Sequence, residues 1–533
     1  MASSFSTNPE ITTQEARDES RPWGDAGISE LVVILVTALL ADITIYRGHG
    51  YAGLAVFFLG ALGLLYVGKK RRQIHWSLWI VGGMLALLAA RLVWYGSPLQ
   101  VIFGFVLLIA FATALDGRTP FLLAVLAMAS QMVLAGFQAF GEYAFRLHRV
   151  GRKLHRPGMS NFTFPALAFV VFSLLFVLAN PDAVRFFGRQ VTVFLAEVSE
   201  WFVRMALRPT EFVFWIVVAI IMSGLLRPIL RSSSMPAFDR SVANGAAAEA
   251  PLFLAFRNTL VTLIGLFAVY LAYEFHTLWI RDFPEGFYYA GYAHEGAAWL
   301  TVALALATLI LSLVFSGQIL DDPRLPRLRR LAWIWSLQNL LLSLSVYNRL
   351  LIYIEFNGMT RMRIVGLFGI SVVVVGFLLV VWKIASGKGF PWLIQRQMWA
   401  LALAIYLFAL TPVDGIAASY NVRRILHGDL SASMQIGVHP LDLEGILALP
   451  PLLDSSTAEI REGVAALIAE RYTDLKSDYQ RHQQAGWTAY QRSDEIALSR
   501  FDAVSSAWKP YELNLPKRQA AIQRFHTYAY QWY

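Results

Sequence analysis

The chain has 533 residues, 57% of them hydrophobic and only 15% charged, with a net charge of +9 and no cysteine. Water-soluble proteins carry about 25% charged residues, so this composition describes a chain largely immersed in lipid. The missing cysteines exclude disulfides, thiolate catalysis and cysteine-based zinc sites. Sixteen Trp and twenty-one Tyr suit a protein with two membrane interfaces.

In chain order, residues 1–27 are polar and lack the basic start and short apolar core of a signal peptide. They are expected to form a disordered cytoplasmic tail. A spanning helix needs about 20 mainly apolar residues, and eleven runs qualify. They are Ile28–Tyr46, Tyr51–Val67, Trp76–Tyr95, Leu99–Leu115, Phe162–Leu178, Glu211–Leu226, Leu254–Ile280, Ala297–Phe315, Leu331–Ile354, Ile364–Ile384 and Ile394–Ile416. A twelfth run, Phe121–Ala144, contains Gln131, Gly136, Gln138, Gly141 and Glu142. Charge judges it. Lys69–Arg72 and the basic residues Arg146, Arg149, Arg152, Lys153 and Arg156 share the cytoplasmic side only if this run does not cross. Residues 119–145 are therefore expected to be re-entrant or interfacial.

Between 181 and 208, Phe187, Val191, Phe194, Val198, Phe202 and Met205 recur at steps of three and four. This predicts an amphipathic helix, lying flat in the headgroup layer or packed on the bundle outside the membrane. With the N-terminus inside and eleven crossings, residues 417–533 fall outside. They carry near-balanced charge and helical runs at Thr457–Lys476 and Trp487–Trp508. The expected fold is thus all-α: a polytopic helical membrane bundle over 28–416, followed by a small helical extracytoplasmic domain.

Four segments resemble an uncharacterised bacterial family of multi-pass membrane proteins, classed only as a domain of unknown function. Phe283–Leu300 is similar to its Tyr-Ala-x-Tyr-Ala-x-x-Gly element. Tyr353, Glu355, Gly358, Thr360 and Arg363 stand in the places of its Tyr-x-Glu-x-x-Gly-x-Thr-x-x-Arg element, with Met359 where Leu is usual. Thr411-Pro412-Val413-Asp414 with Tyr420-Asn421-Val422 looks like its Asn-Pro-Asp and Tyr-Asn-Val pattern, and Trp508–Asn514 loosely resembles a Trp-x-x-x-Asn-Leu element. The resemblance implies a shared helical membrane architecture and lends no activity, ligand or catalytic residue.

The polar residues inside these runs are the candidates for function, because a charge at mid-bilayer costs about 3 kcal/mol or more. On Leu331–Glu355, Gln338, Ser345, Asn348, Arg349 and Glu355 share an arc of about 120° at 100° per residue. Two readings stand: a polar cavity near the outer end, closed by Arg361 and Arg363, or a helix-packing network with snorkelling interfacial charges. The candidate polar site comprises Asn348, Tyr353, Glu355, Thr360, Arg361 and Arg363. Asp42 and Arg91 are expected to pair with each other. His276, His294 and Glu295 lack metal-ligand spacing, as does His439-Pro-Leu-Asp442-Leu-Glu444, and no phosphate loop, nucleophile elbow or kinase signature occurs.

No catalytic residue, cofactor, metal or nucleic-acid partner is therefore expected. The expected protein is a non-enzymatic envelope scaffold or assembly component of a bacterial inner membrane. Its partners would be the bilayer and a membrane or periplasmic protein met through 417–533. The alternatives are a transporter of a small solute or lipid, and a membrane enzyme acting on a lipid-linked substrate at the outer interface.

Overall fold

A computed structural model of the protein describes residues 27–69, 74–151, 208–228, 250–279, 289–315, 319–320 and 322–532. Residues 1–26, the expected span Phe162–Leu178 and most of 181–208 lie outside the described residues. All regular structure among the described residues is helical. Nine of their helices are long and apolar enough to cross a membrane, so this is a multi-pass membrane protein. Packing divides the chain into two compact units: Met1–Ser233 with Ala485–Tyr490, and Ser234–Gln484 with Gln491–Tyr533.

In the first unit, α1 (Ile28–Ala41) continues as a π turn over Asp42–Tyr46, and α2 (Tyr51–Gly68), α3 (Trp76–Trp94) and α4 (Pro98–Leu115) follow. Ser97 and Gln100 form a reciprocal capping box at the start of α4, with Pro98 at its first position. That satisfies N–H groups that would otherwise be left bare at a helix end. α5 (Leu122–Gly151) and α6 (Pro209–Leu226) complete the unit. A Cβ on Gly68 would touch Val33 and Leu226, and the Lys69 ammonium meets Asp116 at 2.5 Å. Tyr143 donates to Glu30 at 2.7 Å, and Arg227 pairs with Glu30 and Glu142 at 2.7 and 2.9 Å. Glu30, Lys69, Asp116, Tyr143 and Arg227 therefore share one end of the unit. The opposite end holds Tyr46 against Thr210 and Arg47 between Asp42 and Glu211. Asp42 thus pairs with Arg47, five residues on, and not with Arg91 as expected. The π turn carries Asp42 round to its own loop.

The run expected to be re-entrant or interfacial contains the stretch Leu122–Phe140, one of the nine long and apolar enough to cross a membrane. It is the single unbroken helix α5 and does not fold back on itself. Its glycine does not break it, because Gly136 serves a close approach to α6. A Cβ there would sit 2.0 Å from the Ile220 carbonyl oxygen, and one on Gly224 1.8 Å from that of Met132. Gly136 and Gly224 therefore mark the crossing of α5 and α6, and Glu142 reaches Arg227 beyond it.

The second unit contains α7 (Phe253–Glu274, extended by a π turn to Trp279), α8 (Tyr289–Val314), α9 (Leu325–Asn357), α10 (Arg361–Ser386), α11 (Phe390–Leu410) and α12 (Val413–Leu426). The expected last span stops at Leu410, because Pro412 supplies no N–H to continue it. One end carries Asp322, which accepts from the Ala250 N–H, and Lys383, which donates to the Phe315 carbonyl. The other carries the α9–α10 turn and α12. Phe253, Leu304, Leu311, Phe315, Trp335, Phe377 and Val380 fill the core toward the first end, and Leu271, Leu342, Val346, Leu350 and Ile370 toward the second. Outward, Trp299, Val302, Leu306, Leu309 and Leu313 form an apolar stripe along α8, each more than half exposed. Only lipid suits such a face. Beyond α12, α13 (Ala458–Ala485), α14 (Arg492–Ala503), α15 (Ser505–Glu512) and α16 (Leu515–Tyr530) complete the chain. Trp508 and Phe525 are buried among them.

Candidate functional site

The site is built around the turn from α9 to α10. Gly358 takes φ +77°, a left-handed conformation that ends α9 and that side chains rarely adopt. The Asn421 side chain of α12 holds the next residue at both backbone positions, accepting from the Met359 N–H at 2.8 Å and donating to its carbonyl at 2.7 Å. Thr360 then caps α10, its hydroxyl accepting from the Arg363 N–H. The last carbonyls of α9 would be bare, and three side chains return to them. Arg363 Nη1 donates to Asn357 at 2.8 Å and to Gly358, Gln435 Nε2 to Asn357 at 2.6 Å, and Arg424 Nη1 to Ile354 at 2.8 Å.

This folding leaves a cavity of about 730 Å³, whose lining includes Tyr353, Thr360, Arg361, Arg363, Asp414, Asn421, Gln435 and His439. That is the size of a small-molecule site. Arg361 holds Asp414 through two contacts, one of them 2.9 Å long, and Asp414 also accepts from the Asp442 N–H at 3.0 Å. Arg363 is different. Its side chain lies over the Tyr353 ring at 4.0 Å, it is only 7% exposed, and no carboxylate among the described residues pairs with it. Its Nε–H is buried without a hydrogen-bond partner, and so is the Gln435 Oε1. His439 stands exposed at the mouth. Burial and the field of Arg363 hold its imidazole below the ordinary histidine value.

Of the six residues expected at the site, the structure brings Tyr353, Thr360, Arg361 and Arg363 together. Asn348 and Glu355 lie outside the lining. Glu355 is two residues, or about 200°, around the helix from Tyr353 and is exposed. Most of the polar arc on α9 serves helix packing. Gln338 donates to the Ile264 carbonyl at 3.0 Å, Ser345 accepts from Trp279 at 3.1 Å, and Arg349 grips Glu274 at 2.7 and 2.6 Å.

Sequence reasoning passed over Gln435 and weighed His439 only for metal binding, within His439-Pro-Leu-Asp442-Leu-Glu444. Neither sits in a recognisable spacing, and they reach the cavity only because the segment after α12 folds back over it. Asn421 did carry a signal, as part of the Tyr420-Asn421-Val422 pattern. Among the described residues no group of three or more His, Cys, Asp or Glu could hold a metal ion, and the side chains of His294 and Glu295 lie outside them.

No curated protein and no solved structure matches the chain. A family profile does match, over residues 76–444, a stretch that contains every residue of the cavity named above. The chain belongs to that family, whose description is "Domain of unknown function (DUF4153)".

Proposed function

We propose that the second unit binds an acidic amphipathic ligand, its anionic group in the cavity between α9, α10 and α12. One observation carries this reading: Arg363 is a buried cation with no carboxylate, a bare Nε–H and a cavity beside it. An anion there would supply the missing acceptor, and the N-terminus of α10 favours negative charge at the same place. The reading is one of recognition: the cavity's named groups hold and orient an anion.

The proposed sidedness follows from charge, unit by unit. In the first unit, the end with Lys69 and Arg227 is continuous in sequence with Lys70–Arg72 and with the basic run after Tyr143. In the second, the end opposite the cavity carries Arg324, Arg327, Arg329, Arg330, Lys383 and Lys388. Those ends are the cytoplasmic ones by the excess of Lys and Arg in short inner loops. The cavity and residues 417–533 would then face the outside of a bacterial inner membrane. A scaffold role through 417–533 is the second reading, favoured by Leu513, 96% exposed, with Leu515, Tyr530 and Trp532 exposed nearby in sequence.

The test is native mass spectrometry of the full chain released from mild detergent, with quantified acidic phospholipid. A charge-assisted hydrogen bond contributes about 1.5–3 kcal/mol, so Arg363→Gln should retain the acidic lipid at least about tenfold less well. Glu355→Gln, outside the cavity, should retain it like the wild type. His439→Gln touches no backbone carbonyl and checks against loss through unfolding. Equal retention by wild type, Arg363→Gln and His439→Gln would overturn the reading.

A further inference from the structure

The cavity does not end at its polar residues. Toward the membrane interior its wall comes from Ala297, Ala298 and Thr301 of α8 and from Gly366, Gly369 and Ile370 of α10. Small residues between membrane helices usually let backbones close on each other, as Gly136 and Gly224 do in the first unit. These do not. A Cβ on Gly369 would meet nothing within 4 Å, and one on Gly366 only the end of Leu350 at 3.6 Å. Glycine lowers helix propensity, and here no contact is gained in exchange. What the small residues leave is a gap, open to the outside of the bundle where Ala298 and Gly369 are exposed.

The gap is continuous with the place where Arg363 and Gln435 keep unpartnered polar atoms, both on residues under a tenth exposed. An acceptor satisfies the Arg363 Nε–H, and a hydroxyl satisfies the Gln435 Oε1. Building on the function proposed above, we infer that the ligand is a phospholipid with a hydroxylated acidic headgroup, entering sideways from the bilayer, its phosphate at Arg363 and one acyl chain in the α8–α10 gap. Phosphate at Arg363 could also come from a soluble glycerol phosphate, which would leave the gap empty. The acyl chain separates the two sources.

The experiment compares phosphatidylglycerol, phosphatidylcholine and sn-glycerol 3-phosphate as ligands of the full chain in detergent, read by native mass spectrometry and by the shift in melting temperature. Wild type should retain phosphatidylglycerol at least tenfold over phosphatidylcholine and bind glycerol phosphate weakly. Gly369→Leu fills the gap without touching the polar residues. It should lose phosphatidylglycerol retention by tenfold or more, keep its melting temperature without ligand, and keep the weak binding of glycerol phosphate. Gly369→Ala should behave as wild type. Arg363→Gln should lose both ligands. If Gly369→Leu and Ala298→Leu both retain phosphatidylglycerol fully, or glycerol phosphate binds as tightly as the lipid, the acyl-chain inference fails while the anion site stands. If Arg363→Gln binds both ligands like the wild type, the anion site itself fails.

Discussion

The Arg349–Glu274 pair decides how the polar arc of α9 should be understood. The guanidinium contacts both carboxylate oxygens, at 2.7 and 2.6 Å, Tyr270 donates to one of them at 2.9 Å, and the two charged side chains are 2% and 0% exposed. Arg349→Met would leave the Glu274 carboxylate buried with the tyrosine hydroxyl as its remaining named donor. Removing one partner of such a pair costs about 3–5 kcal/mol, whereas replacing both with apolar residues of similar volume is close to neutral. Reversible unfolding in mixed micelles should therefore show Arg349→Met and Glu274→Leu each destabilised by about 3 kcal/mol or more. The double variant should recover to within about 1 kcal/mol of wild type. Lipid retention at Arg363 should survive in the double variant, since neither residue lines the cavity. Single costs below about 1 kcal/mol, or a double variant whose loss is the sum of the singles, would refute the assignment of this arc to packing.

Four further outcomes follow from the same geometry. Gly224→Ala places a Cβ 1.8 Å from a backbone oxygen of α5 and should cost at least about 2 kcal/mol by overpacking, measured by unfolding. Gly63→Ala, with nothing within 4 Å, should be neutral or stabilise by up to about 1 kcal/mol. Asn421→Ala frees both backbone groups of Met359 and should cost about 2–3 kcal/mol; it should also weaken acidic-lipid binding by loosening the turn that presents Arg363. His439 sets the pH dependence. Its pKa is depressed, so it is neutral at pH 7, and an anion bound nearby favours its protonated form. Acidic-lipid affinity should be flat above pH 6.5 and strengthen as pH falls through the depressed value, read by titration at pH 7.5 and 5.5. The same slope in His439→Gln would remove His439 from that role.

Eight of the eleven expected spans coincide with helices long and apolar enough to cross a membrane, because a run of 20 apolar residues has few other places to go. The turn at Gly358 was legible because Asn357-Gly358 interrupts two such runs. Ion pairing was not. Glu274 and Arg349 lie 75 residues apart, and Glu30 and Arg227 lie 197 apart; which of several charges meet depends on helix crossing angles that periodicity does not encode. The Asp42–Arg91 expectation matched depth alone, and a five-residue π turn was enough to defeat it. The α5 run was ambiguous because Gln131, Gly136, Gln138, Gly141 and Glu142 dilute it, and flanking charge alone judged it. In three dimensions Gln131 is buried, Gly136 admits α6, and Glu142 meets Arg227.

Set side by side, the buried cations separate structural charge from site. Lys69 has Asp116, Arg227 has Glu30 and Arg349 has Glu274. Lys383 has no carboxylate among the described residues, but it sits at the C-terminal carbonyls of α8, where a cation is favoured in its own right. Arg363 also caps a helix C-terminus, so capping explains why an arginine is tolerated there. It does not explain the rest. A packed helix end would close around the guanidinium, yet this one adjoins a cavity of about 730 Å³ with an unpartnered Nε–H and an unpartnered amide oxygen beside it. Unpartnered buried polar atoms destabilise a fold, and one occupant bearing an anion and a hydroxyl satisfies both. The conjunction, and not the arginine alone, is what points to a ligand.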